Sequence, residues 1–264
     1  MYAKNVVVSA VALGAILAAS QIQAAVITWQ APVTIANNVA QVSTLGTTDR
    51  AYYFAPDSTG STTVNGVTFN TFDVGYNTYP ASVTVGSTTL SSSVANTQLY
   101  YRDRTTTSDP YASLDANYKQ LCRYSATAYG NFPSAPFTIA GIPVLTLNNL
   151  TVGKEYLFQL WLNLSPAVPA NTATGAVLTN GVSESTLVYQ NTSMQIGGLG
   201  QYVIGTFTAN STSEAFTWTR QQYNFSNAMD AFQLRVIPEP GTLVLVATGL
   251  LGLSCRAWRK RKSA

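Results

Sequence analysis

Apolar and polar residues alternate along much of this chain with a period of two, the signature of a strand with one face buried. The longest run is Glu155–Leu164. Its even positions, Tyr156, Phe158, Leu160, Leu162 and Leu164, form one apolar face, and its odd positions are Leu157, Gln159, Trp161 and Asn163. Shorter runs predict strands over Val26–Gln30, Arg50–Phe54, Thr62–Phe72, Ser82–Val85, Gln98–Tyr101 and Val144–Leu147. Further strands are expected over Val182–Tyr189, Gln201–Ala209, Ala215–Thr219 and Ala231–Ile237. Asn65-Gly66 marks a two-residue hairpin inside Thr62–Phe72. One stretch changes period. Leu114, Tyr118, Leu121 and Cys122 follow Asp109-Pro110 at helical spacing. This predicts one helix over 110–124, capped by Asp109 with Pro110 at its first position. Short strands in this number predict an all-β body, a β-sandwich with one short helix. The pattern leaves the strand order open.

Both ends break the alternation. From Gly241 to Cys255 there is no charged side chain. Fifteen such residues as a helix span roughly 22 Å, short of a hydrocarbon core of roughly 30 Å. Arg256, Trp258, Arg259, Lys260, Arg261 and Lys262 follow. Basic residues there keep that end in the cytoplasm and the body outside, and Trp258 suits the interface. Pro238 and Pro240 separate the body from this run, since proline lacks a donor and restricts the residue before it. The N-terminus carries Lys4, an uncharged stretch Val6–Ser20, and the small residues Ala24 and Ala25. That is the layout of a secretory signal peptide, with cleavage after Ala24 or, as the runner-up, Ala25. Three parts follow: a leader at 1–24, a β body at 25–237, and a tail at 238–264 with a transmembrane helix.

This division changes the charge. The whole chain is +3, with 14 basic and 11 acidic residues. Six of the basic residues and Glu239 lie in the two ends, so the body holds 8 basic and 10 acidic, a net of −2. No basic stripe remains to track a phosphate backbone, so nucleic acid is not an expected partner. Thr and Tyr favour strands, while Asn, Gly and Ser favour turns. Cys122 has no partner in the body and reads as a small buried apolar residue.

Candidate chemistry is sparse. The chain has no histidine, which removes Ser-His-Asp triads, Cys-His pairs and His-bearing zinc sites. No phosphate-cradling glycine loop with a following Lys-Ser/Thr occurs, so no nucleotide is signalled. No cofactor and no metal site is expected, and no catalytic residue. Asp103, Asp109, Asp115, Glu155, Glu184, Glu214 and Asp230 could pair in principle for glycoside hydrolysis. Each also has a structural reading: Asp103 in a surface ion pair with Arg102 or Arg104, Asp109 as a cap, Glu214 in a turn. For sugar binding, Trp161 flanked by Gln159 and Asn163 is the candidate contact, an aromatic face beside two amides.

The tail, taken as Pro238-Glu239-Pro240, then an apolar run, then a basic stop at Arg256, Arg259, Lys260, Arg261 and Lys262, resembles the PEP-CTERM sorting domain. That family belongs to exported proteins of Gram-negative bacteria. The resemblance implies an exosortase that recognises Pro238-Glu239-Pro240, with the chain as its substrate. It also implies export by the Sec machinery, an inner-membrane-anchored intermediate, and delivery to the cell surface or extracellular matrix among exopolysaccharide. The stretches LTLNNLTVGKEYLFQLWLN, GQYVIGTFTA and NAMDAFQLRVI resemble bodies of such proteins, which implies a jelly-roll or galactose-binding-like module. Three readings of the body stay open: a structural or adhesive protein, a carbohydrate-binding module, and a polysaccharide-active enzyme.

Overall fold

The computed structural model describes residues 23–56, 60–75, 80–93, 97–130, 142–165, 175–188, 192–193, 195–220 and 229–238. In chain order the strands are β1 (Thr28–Trp29), β2 (Val33–Thr34), β3 (Thr47–Ala55), β4 (Ser61–Val64) and β5 (Val67–Asp73). Next come β6 (Ser82–Val85), β7 (Thr88–Ser92) and β8 (Thr97–Asp103), then the helix α1 (Ala116–Leu121) and β9 (Tyr124–Gly130). The second half holds β10 (Pro143–Asn148), β11 (Glu155–Leu162), β12 (Gly175–Thr179), β13 (Glu184–Val188), β14 (Gln201–Thr208), β15 (Ser213–Arg220) and β16 (Ala231–Ile237). Among the described residues the body is all-β with one short helix, as the alternation predicts.

Two sheets carry the architecture. The larger runs β1-β14-β11-β16-β3-β5-β4, with β2 also on β14, and the smaller runs β13-β12-β15-β10-β7-β6. All pairings are antiparallel except β3 with β5. From β10 onward the chain crosses between the sheets: β10 in the smaller, β11 in the larger, β12 and β13 in the smaller, then β14, β15 and β16 alternately. The inner faces meet in one core, where the rings of Phe158 and Phe216 stack at 4.3 Å. Leu145, Leu178 and Leu90 from the smaller sheet join Leu160, Phe232 and Leu234 from the larger.

Strand β11 differs from a half-exposed strand because both of its faces are buried. Its even positions point into the inter-sheet core. Trp161, on the other face, belongs to a second cluster with Tyr53, Phe69 and Tyr202. That cluster is roofed by Ile35, Val42, Tyr111, Leu114, and by Tyr118 and Leu121 of α1. The described residues thus form two main sheets and a cover of irregular chain with one helix, and β8 and β9 pair as a separate two-stranded sheet.

The hairpin forms at Asn65-Gly66 as its turn residues predict, and the helix departs from its expected span. Asn65 and Gly66 have φ of 48° and 74°, the left-handed pair a two-residue turn requires. The expected helix over 110–124 is shorter, and its cap is Asp115, not Asp109. The Asp115 carboxylate accepts the amides of Asn117 and Tyr118 at 3.0 and 3.1 Å. The amide of Tyr111 donates to Gly197 at 2.8 Å and residues 110–114 turn, so the chain enters the helix late. The helix also ends at Leu121, and Tyr124 already opens β9. Strands β7, β9 and β12 had no strong alternating signature; β7, for example, is Thr-Thr-Leu-Ser-Ser, with Leu90 as its one apolar residue. Cys122 is free and fully buried.

Candidate functional site: the pole where both ends leave the body

Strand β16 runs directly into the proline-marked segment. It lies between β11 and β3, so it is hydrogen-bonded on both sides along its length. Ile237 still pairs opposite Glu155, and the next residue, Pro238, is exposed. No spacer separates the sheet from the motif. Glu239, Pro240 and the expected helix and basic stop at Arg256, Arg259, Lys260, Arg261 and Lys262 lie outside the described residues. Among the described residues no helix is long and apolar enough to cross a membrane.

A buried arginine fixes this exit. Arg235, the one charged residue of β16, is 5% exposed. It donates to the carbonyls of Thr44, Leu45 and Gly46 at 3.0, 2.8 and 2.7 Å and to Thr48 Oγ1 at 2.6 Å. Burial lowers its pKa, but carbonyl acceptors on the guanidinium fork hold the charged form. The loop so gripped packs against the strand end. A Cβ on Gly46 would sit 2.2 Å from the carbonyl oxygen of Val236. Arg50 on β3 similarly reaches the carbonyls of Ser87 and Asn148 at 2.7 and 2.9 Å, tying the larger sheet to turns of the smaller one. Leu45 and Val152 stand exposed around the same pole. These residues had no motif to announce them; the only signal was a charge inside the apolar strand Ala231–Ile237.

The N-terminal segment leaves from the same pole. Ile237 is opposite Glu155, Glu155 is opposite Thr208, and Ala209 exchanges backbone bonds with Gly153 and Lys154. One residue further, Asn210 Nδ2 donates to the carbonyl of Gln23 at 2.6 Å. Gln23 is exposed, Ala24 half-buried and Ala25 fully buried. The amide of Ala25 donates to Glu214 Oε2 at 3.0 Å. The Ser/Thr-rich stretch predicts a turn at Glu214; instead it is the second residue of β15 and is 3% exposed.

The expected sugar contact is overturned. Trp161, Gln159 and Asn163 each have 0% exposure, because they face the covering layer and not solvent. Trp161 Nε1 donates to Tyr118 Oη at 3.3 Å, and its ring meets Phe69 edge-on at 5.7 Å. Gln159 donates to the carbonyl of Gln41 at 2.7 Å, and its Oε1 accepts from Ser43 and Gln233. Asn163 accepts the Gly200 amide at 3.0 Å and donates to the Cys122 carbonyl and to Ser165. The amides that would bind hydroxyls already hold the cover in place.

Five of the seven candidate carboxylates, Asp103, Asp109, Asp115, Glu214 and Asp230, accept hydrogen bonds within the fold. Asp103 accepts the Thr105 amide at 2.8 Å, Asp109 accepts from Ser113 Oγ, and Asp115 caps α1. Asp230 is fully buried and accepts the Asn163 amide at 2.6 Å. Burial pushes its carboxyl well up, while Arg104 opposes the shift. Among the described residues no group of three or more Cys, Asp or Glu side chains is placed to hold a metal ion.

Residues 236–262 match the family model of the PEP-CTERM protein-sorting motif. The motif marks an exported protein that is anchored in the membrane transiently and processed by an exosortase. No curated protein and no solved structure matches the chain.

Proposed function

We propose, for a chain that ends in a PEP-CTERM protein-sorting motif, that its β body is a structural or adhesive component delivered to the cell surface or extracellular matrix. The observation that carries this reading is the pole. The leader side and the motif side of the body leave the sandwich next to each other, and β16 meets Pro238 without a linker. A body so connected stands on the membrane with its opposite end outward while both terminal segments reach the bilayer. Ala24-Ala25 is the bond at which a Sec-type leader is removed. Gly241–Cys255 is the temporary anchor, held by Arg256, Arg259, Lys260, Arg261 and Lys262 on the cytoplasmic side. Sortase-like processing at Pro238-Glu239-Pro240 then frees the body. A jelly-roll-like wrap of the sandwich is supported by the strands that cross between sheets from β10 to β16.

The body itself acts without catalysis in this reading. Five of its candidate carboxylates already accept hydrogen bonds within the fold, and Trp161 and Gln159 of β11 lie under the covering layer. Adhesion to exopolysaccharide would use the uncharged Thr, Ser and Asn surface, not a deep aromatic site.

Intact-mass measurement of the protein from whole envelope and from released matrix tests the sorting step. The released form is expected to lack Trp258. Replacing Pro238, Glu239 and Pro240 together by alanine is expected to leave the tail on and the protein in the inner membrane. A released wild-type form that still contains Trp258 would count against processing.

A further inference from the structure

We infer that Glu214 and Asn180 form a receptor for the mature N-terminus, and that the α-ammonium released by cutting Ala24–Ala25 docks there as a buried ion pair. The inference rests on the proposed removal of the leader. Hydrolysis of that peptide bond consumes one water. Its oxygen goes to the carbonyl carbon of Ala24, and the nitrogen of Ala25 becomes an amine that takes a proton at neutral pH. That nitrogen is the atom already placed 3.0 Å from Glu214 Oε2. The cut therefore converts an amide–carboxylate hydrogen bond into an ammonium–carboxylate ion pair without moving the donor.

The surroundings are built for this group. Asn180 Nδ2 donates to Glu214 Oε1 at 2.7 Å and to the carbonyl of Ala25 at 2.6 Å. Its Oδ1 accepts the amides of Val182 and Ser183, which fixes the orientation of the side-chain amide. Ser183 Oγ accepts the amide of Ile27 at 2.9 Å, so the turn between β12 and β13 grips the segment twice. The methyl of Ala25 is fully buried within the inter-sheet core. In the uncut chain burial raises the Glu214 carboxyl, against the bonds from Ala25 and Asn180. A carboxylate in that position is short of positive charge, and an ammonium supplies it. The arrangement also separates the two cleavage options. A cut after Ala25 would discard the buried methyl and put the new amine on Val26, which is 69% exposed.

The test uses the exported protein purified from the envelope, with an amine-selective acylating reagent at neutral pH and mass readout. The expected mass begins at Ala25. Its α-amine is expected to label roughly tenfold slower than that of an Ala-Val dipeptide amide, a protection equal to about one pKa unit. Glu214→Gln should restore most of that rate, and Glu184→Gln, an exposed carboxylate on β13, should not change it. If Glu214→Gln does not accumulate, the wild-type rate against the dipeptide decides alone. A chain that begins at Val26 overturns the receptor and leaves the leader reading intact, and a chain that still carries residues 1–24 overturns both. A chain that begins at Ala25 but labels at the dipeptide rate overturns the receptor and leaves the leader reading intact. An unchanged rate in Glu214→Gln does the same.

Discussion

Trp161 shows how far a single residue can be read. Its place on the less apolar face of β11, between Gln159 and Asn163, suggested an open aromatic platform. The structure closes that face with chain from residues 35–43 and with α1, which are distant in sequence. Alternation tells which positions share a face; it does not tell whether another layer covers the polar-looking one. Trp161→Ala is therefore expected to cost stability, about 3–5 kcal/mol as for other buried aromatic truncations, read from the urea midpoint. Asp230 offers a second residue-scale prediction. Its carboxyl is held well above the ordinary 3.8, chiefly by burial. The folded chain then binds the proton more tightly than the unfolded one, so stability falls as pH rises from that ordinary value through the folded one. Urea unfolding across this range should show a steeper fall for wild type than for Asp230→Asn.

At the scale of elements, turn chemistry was legible where backbone conformation alone decides, as at Asn65-Gly66. It was not legible where two residues satisfied the same rule. Asp109 and Asp115 can both cap a helix; Asp115 does so here because residues 110–114 turn and the Tyr111 amide is held by the Gly197 carbonyl. Gly46 and Gly66 share a φ of 74° but differ in surroundings. Nothing lies within 4 Å of a Cβ on Gly66, whereas on Gly46 it would collide with the Val236 carbonyl. Gly66→Ala should cost about 1–2 kcal/mol for the backbone conformation. Gly46→Ala should cost clearly more, and should disturb the end of β16 as well. Thermal melts of the two variants, with hydrogen exchange at Val236 and Ile237, would check the contrast.

On the scale of the molecule, Gln23–Ala25 and Ile237–Pro238 lie at one pole of the sheets. The tail supplies five of the chain's basic residues, which lie on the cytoplasmic side in the proposed orientation. Replacing Arg256, Arg259, Lys260, Arg261 and Lys262 by Gln is expected to abolish stable membrane retention of the intermediate, since the apolar run is itself short for a bilayer. Fractionation of envelope and medium would show unprocessed chain outside the inner membrane.

Short-range physics determined what the sequence shows by itself: the β class from a period of two, the hairpin at Asn65-Gly66, and the tail from its prolines, apolar run and terminal charge. Each of those rests on neighbours a few residues apart. The tertiary structure decided which face of β11 is covered, that Arg235 clamps the loop at Thr44–Gly46, and that Glu214 meets Ala25 across 189 residues. These depend on strand order and on chain crossing between sheets, and contacts between residues so far apart leave no periodic trace along the chain.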